Sequence, residues 1–228
     1  MKDFLSKIEK DAILTHLAFI ISCIVVLLIP FGIEIGIKLF ILVIIYNILI
    51  LSVGIWQKHK NWLNIWFFTL FISFFQIWPD WVLSAELDIL VFPEDGSFKI
   101  GTVSGYMAGL WVIPLFLILF IAQQLQERYS RKVSYIFVIL LSLLIFGLAE
   151  QSMWMLQSWY AQNVVMIGHI ALYIIVPEII LGLSTYYSYE LVKEKKHWYK
   201  IPLAYIVMIL YLGSAVFFYF LIEQVLLP

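Results

Sequence analysis

The stretch HIALYIIVPEII, residues 169–180, places a histidine, a tyrosine and a proline–glutamate pair inside an otherwise apolar run. The run extends over residues 165–187, close to the roughly 20 residues that an α-helix needs to cross the hydrocarbon core of a bilayer. A charged side chain at the centre of such a helix costs roughly 2.5–3.5 kcal/mol and usually faces a bundle interior or a cavity. The surroundings of Glu178 therefore decide what this stretch does.

Similar apolar runs recur along the whole chain. Of its 228 residues, 64% are hydrophobic and only 13% are charged, whereas soluble domains have about 25% charged residues. The runs are continuous rather than alternating, so each must satisfy its backbone hydrogen bonds within a helix. We predict an all-α, polytopic membrane helix bundle, a single domain over residues 1–228 with seven transmembrane helices. The predicted spans are about 12–29, 38–56, 62–80, 106–123, 133–150, 165–187 and 201–222.

The basic residues support this division. Seven spans place twelve of the fourteen lysines and arginines on one side of the membrane and leave only Lys38 and Lys99 on the other. Because basic residues are concentrated in cytoplasmic loops, we expect a cytoplasmic N-terminus, an outside C-terminus and a multi-pass location in the inner (cytoplasmic) cell membrane. The twelve residues are Lys2, Lys7, Lys10, Lys58, Lys60, Arg128, Arg131, Lys132, Lys193, Lys195, Lys196 and Lys200.

Two predicted outer loops are acidic and aromatic. The first follows the third span and has roughly 25 residues, several of them apolar. The second, EQSMWMLQSWYAQN at residues 150–163, has no lysine or arginine, and its aromatic and amide side chains are suited to covering a cavity. We expect Asp80, Glu94 and Asp95 to be solvated loop or cap residues.

Glu178 is predicted to point at protein rather than at lipid, somewhat past the midplane toward the cytoplasm. On a helix it shares a face with small residues that allow neighbouring helices to approach closely, namely Ala171, Gly182 and Thr185. Pro177 is expected to kink the helix and to leave the carbonyl of Tyr173 without its hydrogen bond. The expected result is a polar pocket beside the carboxyl group.

The candidate catalytic residues are Glu178 deep in the bundle and His169, Glu150 and Asp88 nearer the outside. His169 and Glu178 are nine residues apart, on opposite faces of an ideal helix, so we assign them separate roles. Aromatic residues are expected to line the substrate pocket: Trp81, Tyr106, Trp111, Trp154 and Tyr173. A purely structural role as hydrogen-bonded packing residues remains open for both Glu178 and His169.

Several classes of function are disfavoured. The last span has no lysine for the Schiff base of a retinal protein. The sequence contains no HxxxH, CxxC or HExxH motif, no Walker-type loop and no GxSxG elbow, so nothing points to a metal, to another cofactor or to those catalytic classes. We expect no cofactor, no nucleic-acid partner, and a membrane lipid or apolar small molecule as ligand.

The remaining features suit acid chemistry on an apolar substrate. A carboxyl group that is removed from water favours its protonated form and can act as a general acid, while aromatic faces stabilise a developing carbocation. The stretch from Glu86 and Asp88 through Gly101, Gly105 and Tyr106 to WVIPLFLILF, together with Pro177-Glu178, resembles the small integral-membrane carotenoid-biosynthesis proteins of the lycopene-cyclase-like and carotenoid-hydratase-like families.

That resemblance implies a helical membrane bundle that acts on isoprenoid chains without a redox cofactor. By this resemblance, the role of the functional acidic residues is assigned to Glu178, and also to Asp88 and Glu150. Ile179 stands where the cyclase-like proteins usually have the second acid of a proline-acid-acid motif.

Three functions therefore stay open from the sequence. The first is an enzyme of lipid or isoprenoid metabolism that catalyses cyclisation or hydration without a cofactor. The second is a proton-linked transporter of small solutes, with Glu178 and His169 as the proton relay. The third is a structural or accessory bundle in which the polar groups only fix helix packing.

Overall fold

Long α-helices dominate the computed structural model, which describes residues 5–28 and 32–227. Six helical segments in this part of the chain are long and apolar enough to cross a membrane, judged by length and composition. Lys2 and residue 29, the last of the first predicted span, lie outside the described residues. The helices are α1 Lys7–Leu28, α2 Ile35–Trp56, α3 Lys60–Phe75, α4 Ile77–Trp81, α5 Met107–Leu110, α6 Val112–Arg128, α7 Arg131–Ser152, α8 Leu172–Val192 and α9 Lys200–Tyr219.

Two helix breaks follow directly from proline chemistry. A proline ring clashes with the carbonyl group four residues earlier in a helix and supplies no N–H. Pro79 stands four residues after Phe75, where α3 ends, and Pro114 stands four residues after Leu110, where α5 ends. The chain resumes as α4 and α6, so each break redirects a helix without ending its passage through the bundle.

Five helices form a closed ring. In that ring α3 packs against α6 and α9, α8 packs against α9 and α7, and α7 packs back against α6. Large apolar side chains such as Phe68, Phe116 and Leu181 are fully buried in its core. The helix α2 lies outside the ring against α3, and α1 packs against α2.

The predicted span at 165–187 differs most from the structure. Residues 166–171 form a hairpin instead of helix, with Met166–Ile167 antiparallel to Ile170–Ala171 and with Gly168 at a φ of +64°, a conformation that glycine adopts readily. Glu178 is consequently the seventh residue of α8, about 9 Å from its first residue. Glu178 therefore lies in the first half of α8, and Ala171 precedes the helix.

The helix α8 is not among the six apolar segments. It carries two glutamates and four tyrosines in 21 residues, and these polar groups lower its hydropathy. It is nevertheless long enough to cross a bilayer, since 21 residues extend about 32 Å at 1.5 Å per residue. Several of its polar side chains are buried in the ring, among them Glu178, Thr185 and Tyr189, while Tyr187 is exposed.

The two ends of the bundle differ in their connections. The end that we call the basic end has the short connections 57–59, 129–130 and 193–199. The opposite end, the loop end, has the long connections 87–106 and 153–171, which contain paired strands. All these pairs are antiparallel: β1 Leu90–Val91 with β4 Tyr160–Ala161, β2 Lys99–Ile100 with β3 Val103–Ser104, and β5 Met166–Ile167 with β6 Ile170–Ala171.

The crossing of α7 and α8 depends on Gly182. A Cβ atom at this position would collide with the Ser142 hydroxyl and lie 3.1 Å from Ser142 Cβ. Gly213 on α9 has nothing within 4 Å of the corresponding position. We expect Gly182→Ala to destabilise the protein by about 1–3 kcal/mol through overpacking, whereas Gly213→Ala should be neutral or stabilising by about 0.5–1 kcal/mol, as for a helical Gly→Ala change.

Thermal unfolding of both variants in the same detergent measures this difference. The double variant Gly182→Ala/Ser142→Gly should recover most of the lost stability, because the obstructing side chain is then gone. Equal melting temperatures for the two single variants would show that α7 and α8 are not packed this closely.

Candidate functional site

A cavity of about 200 Å³ lies between α6 and α7, in the half of the bundle nearer the loop end. We call it the acid chamber. Its walls are almost entirely apolar and include Pro114, Leu117 and Phe146, and the two carboxyl groups of Glu150 and Glu178 are the exception. Leu117 on α6 and the neighbouring Ile113 and Ile145 are only partly buried, so the chamber is accessible between these two helices.

A much smaller space of about 30 Å³ adjoins the acid chamber. Trp111, Glu150 and Trp159 border both spaces. Asp80, Tyr173, Ile174 and Tyr211 complete the smaller one. Its volume exceeds the roughly 10–15 Å³ that one buried water requires, and its polar groups can satisfy such a water.

Glu178 enters the acid chamber from the second turn of α8. Its side chain is 4% exposed, and within the described part of the chain its carboxyl group forms no hydrogen bond and no ion pair. Pro177 precedes it in the same helix and withholds the N–H that would otherwise bond to the Tyr173 carbonyl. The site therefore holds a buried carboxyl group with free hydrogen-bonding capacity in apolar surroundings.

Glu150 lies near the end of α7 and links the two spaces. Its Oε1 accepts a hydrogen bond of 2.9 Å from Nε1 of Trp159, which belongs to the long connection 153–171. Glu150 borders the smaller space together with Asp80 and the acid chamber together with Glu178. It therefore connects the other two acids.

Asp80 is the third acid, and the expectation that it is solvated was wrong. It is 2% exposed, and its Oδ2 accepts a hydrogen bond of 3.3 Å from Nε1 of Trp111. The break at Pro79 turns α4 inward against α9, and this packing brings the carboxyl group into the ring.

Asp95 is also buried, at 2% exposed, contrary to expectation, while Glu94 is exposed as predicted. Asp95 accepts hydrogen bonds from the Ser104 hydroxyl at 2.7 Å and from the Ser97 backbone N–H at 2.9 Å. Nζ of Lys99 lies 3.8 Å from Oδ1 of Asp95, the oxygen that accepts the Ser97 N–H. These contacts stabilise the loop that contains Asp95, and they lie away from the acid chamber.

Aromatic rings surround the acids. The ring centroid of Trp111 lies 5.6 Å from that of Phe146 and 5.9 Å from that of Tyr211. Tyr173 and Tyr211 are each 2% exposed, and neither hydroxyl has a hydrogen bond to another described residue. These hydroxyls and ring faces are the groups that a ligand near the carboxyl groups would meet.

The two long connections at the loop end pair with each other and cover the site. Leu90 and Val91 pair with Ala161 and Tyr160. The Tyr106 hydroxyl lies 2.7 Å from Oγ of Ser158. These contacts hold Trp159 over the chamber, in agreement with the predicted covering role of the second loop.

The structure separates the residues selected from sequence into two groups. Glu150, Glu178, Trp111 and Tyr173 border the two spaces, while the others do not. Asp88 lies on the surface, where its Oδ1 accepts a hydrogen bond of 2.8 Å from the Gln162 amide. His169 is exposed, and its ring stacks on Trp154 with centroids 4.1 Å apart.

Trp81 and Tyr106 also lie away from the carboxyl groups. Trp81 borders a separate surface hollow with Gly101, and Tyr106 is fully buried beneath the covering loops. Its hydrogen bond to Ser158 helps to hold the covering loops in place.

Three residues of the site were missed from sequence: Asp80, Trp159 and Tyr211. Asp80 carried one usable signal, because Pro79-Asp80 repeats the Pro177-Glu178 pattern, although Pro93-Glu94 has it too and is a loop. Tyr211 and Trp159 have no distinguishing neighbours, since tyrosine and tryptophan are frequent throughout this chain.

The acids are not arranged as a metal centre. Among the described residues, no group of three or more histidine, cysteine, aspartate or glutamate side chains is close enough to hold a metal ion. No lysine, arginine or histidine borders either space. The chemistry that this arrangement offers is the holding and transfer of protons next to aromatic and apolar surfaces.

The hydrogen bond between Trp159 and Glu150 gives a measurable prediction. We expect Trp159→Phe to destabilise the protein by about 1–3 kcal/mol, because Glu150 keeps its burial and loses its donor. Trp154→Phe in the same connection is the matched control. It should destabilise the protein less, since Trp154 is 40% exposed and water can replace its indole N–H as a hydrogen-bond donor. Unfolding in mixed micelles, with a double-mutant cycle that includes Glu150→Leu, measures the coupling. A coupling near zero would mean that the covering loop does not hold Glu150.

Sequence comparison places these elements in a family. No curated protein and no solved structure matched the chain. The match to a family covers residues 77–222, which include Asp80, Glu150 and Glu178 and both covering loops. The chain belongs to the family described as the domain of unknown function DUF6989.

Proposed function

We propose that this protein is an integral membrane enzyme that protonates an apolar, isoprenoid-type substrate in the acid chamber, with Glu178 as the general acid. The observation that carries the proposal is the Glu178 carboxyl group, which is 4% exposed, borders an apolar cavity and has no hydrogen-bond partner among the described residues. A proton on such a group is not held in a hydrogen bond to a described residue, so it is available to a bound substrate.

The neighbouring acids support the same role. Asp80 and Glu150 interact electrostatically with each other, and Glu150 also with Glu178. Several negative charges in one apolar space repel one another and are poorly solvated, which favours retention of protons by the group. Protons in such a cluster belong to the coupled set rather than to one residue, so Glu150 can accept a proton while Glu178 is the donor.

The proposed reaction begins with transfer of the Glu178 proton to an alkene carbon. The π electron pair forms the new C–H bond, and the adjacent carbon becomes a carbocation. Trp111, Tyr211 and Phe146 are close together around this space, and their ring faces stabilise a cation by roughly 0.5–2 kcal/mol each.

The carbocation then reacts in one of three ways. In isomerisation a neighbouring C–H bond breaks, its electron pair forms an alkene, and the proton goes to a carboxylate such as Glu150. In cyclisation the π electron pair of a second double bond of the same chain first forms a C–C bond to the cation, and the new cation then loses a proton in the same way. In hydration a water in the smaller space adds to the cation and gives its extra proton to the same carboxylate. In each case the number of protons on the acids is restored, and neither an oxidant nor a reductant is required.

The membrane arrangement belongs to the same proposal. We take α8 as the seventh transmembrane helix and the basic end as the cytoplasmic side of the cell membrane, in accord with the concentration of lysine and arginine there. The acid chamber then lies in the outer half of the bilayer and opens between α6 and α7 toward lipid. A substrate dissolved in the membrane would enter without passing through water.

Incorporation of deuterium tests the proposal. Membranes containing the protein are incubated in D₂O with linear polyenes and polyprenyl alcohols, and the extracted lipids are analysed by mass spectrometry. We expect a product with deuterium on carbon, because the donated proton comes from exchangeable carboxyl groups. Glu178→Gln should abolish this incorporation and leave the fold intact.

The matched control is Glu94→Gln, the same substitution at an exposed acid, and it should keep full activity. Deuterated product at wild-type levels in Glu178→Gln would refute the assignment of Glu178. Uptake of an unchanged compound that depends on a pH gradient would instead favour a proton-linked carrier.

A further inference from the structure

A second cavity, of about 300 Å³, lies between α1 and α6 toward the basic end. Apolar side chains form most of its surface, among them Ile13, Phe120 and Ile121. Its polar groups are Glu9, His16, Gln124 and Arg128, which lie on the first turns of α1 and the last turns of α6. The cavity is therefore amphipathic.

The charged groups of this cavity already neutralise each other. Glu9 caps α1 by accepting a hydrogen bond of 2.8 Å from the Ser6 backbone N–H, as in a capping box. The same carboxylate forms an ion pair with Arg128. Both ring nitrogens of His16 are occupied, by the Ala12 carbonyl at 2.8 Å and the Tyr46 hydroxyl at 3.2 Å.

One side chain joins this cavity to the acid chamber. Leu117 borders both and is the only described residue to do so. Among the residues of α6 that line the two cavities, one set recurs every three or four positions and therefore shares one face of the helix: Pro114, Leu117, Ile121, Gln124 and Arg128. All except Arg128 are partly buried, and Arg128 is exposed.

This face of α6 is long and has different chemistry at its two ends. From Pro114 to Arg128 it extends about 21 Å at 1.5 Å per residue, about two thirds of the roughly 30 Å thickness of the hydrocarbon core of a bilayer. One end meets the unpaired carboxyl group of Glu178, and the other meets a neutral ion pair and the Gln124 amide.

We propose that the two cavities form one groove for a single long linear chain with an uncharged polar head group, such as a polyprenyl alcohol. The inference rests on the proposed function and specifies its substrate class. The terminal double bond of the chain lies beside Glu178, the chain follows α6 past Leu117, and the hydroxyl group lies at the basic end.

The ion pair explains why the head group is uncharged. An anionic group would be placed beside Glu9, and a cationic group beside Arg128, so either charge would meet repulsion as well as attraction. A hydroxyl group can donate to the Glu9 carboxylate and accept from Gln124, whose side chain forms no hydrogen bond with another described residue.

The prediction concerns dependence on chain length. The dissociation constants of polyprenyl alcohols of increasing length are measured by competition with a fluorescent polyene in detergent micelles. For the wild type, affinity should rise with length until the chain fills both cavities, because each added unit buries further apolar surface, and then level off.

Leu117→Trp places a larger side chain at the junction. It should weaken the binding of long alcohols on the order of tenfold or more, since the chain can no longer bury its full length, and leave the shortest alcohols unaffected. Leu144→Trp, at a 57% exposed position on α7, is the matched control and should bind like the wild type. Leu117→Ala widens the junction and should bind long alcohols at least as well as the wild type. This variant tests the groove if Leu117→Trp fails to fold.

Two outcomes would overturn the inference: affinities that do not depend on length in the wild type, or equal loss of long-chain binding in Leu117→Trp and Leu144→Trp. Length-dependent binding without deuterium incorporation in the wild type would reject the proposed enzyme activity and support the groove. Deuterium incorporation without length-dependent binding would support the enzyme activity and reject the groove.

Discussion

The carboxyl groups of Asp80, Glu150 and Glu178 border two adjoining spaces in the interior of the helix ring, and no basic side chain of the described residues borders either space. Such burial opposes folding, because polar groups without partners are costly in apolar surroundings. The surrounding structure offsets this cost at two of the acids with tryptophan N–H donors, Trp111 to Asp80 and Trp159 to Glu150. Glu178 receives no such donor, so its carboxyl group is the one of the three that has no hydrogen-bond partner among the described residues.

The same constraint explains the unusual backbone around the chamber. Pro79, Pro114 and Pro177 lie on three different helices that border the site. Each proline removes one helical hydrogen bond, and two of them interrupt the helix four residues upstream. Within a membrane such breaks are tolerated only where protein or a polar cavity surrounds the backbone. The interruptions thus belong to the site, and the regular helices α1 and α2 lie outside the ring.

The family segment, residues 77–222, and the helix α1, which precedes it, contribute different residues to the two cavities. Residues 77–222 contain the acids, their aromatic surroundings and the covering loops. The helix α1 lies outside this segment and supplies one wall of the second cavity, including Glu9 and His16. In the proposed groove the shared segment performs the chemistry, and α1 helps to recognise the far end of the chain.

Much of the architecture could be read from the sequence. Apolar runs of helical length predicted seven spans, and six of them correspond to apolar helical segments of the described residues, because a continuous apolar segment has few ways to satisfy its backbone. The same patterns identified Glu178, Glu150, Trp111 and Tyr173, which do border the two spaces. Boundaries were less predictable: composition alone did not distinguish the hairpin at 166–171 from the helix that follows it, since both are apolar.

The composition of the site was decided only by tertiary structure. Asp80, Glu150 and Glu178 lie on α4, α7 and α8, and no spacing along the chain relates them. Helical periodicity tells which residues share a face of one helix, and it gives no information on which helices become neighbours. Asp88 and His169 are near the same helices in sequence, yet the pairing of the loops leaves them at the surface. The sequence thus determined a helical bundle with buried acids, and the order of packing around the ring determined which acids meet.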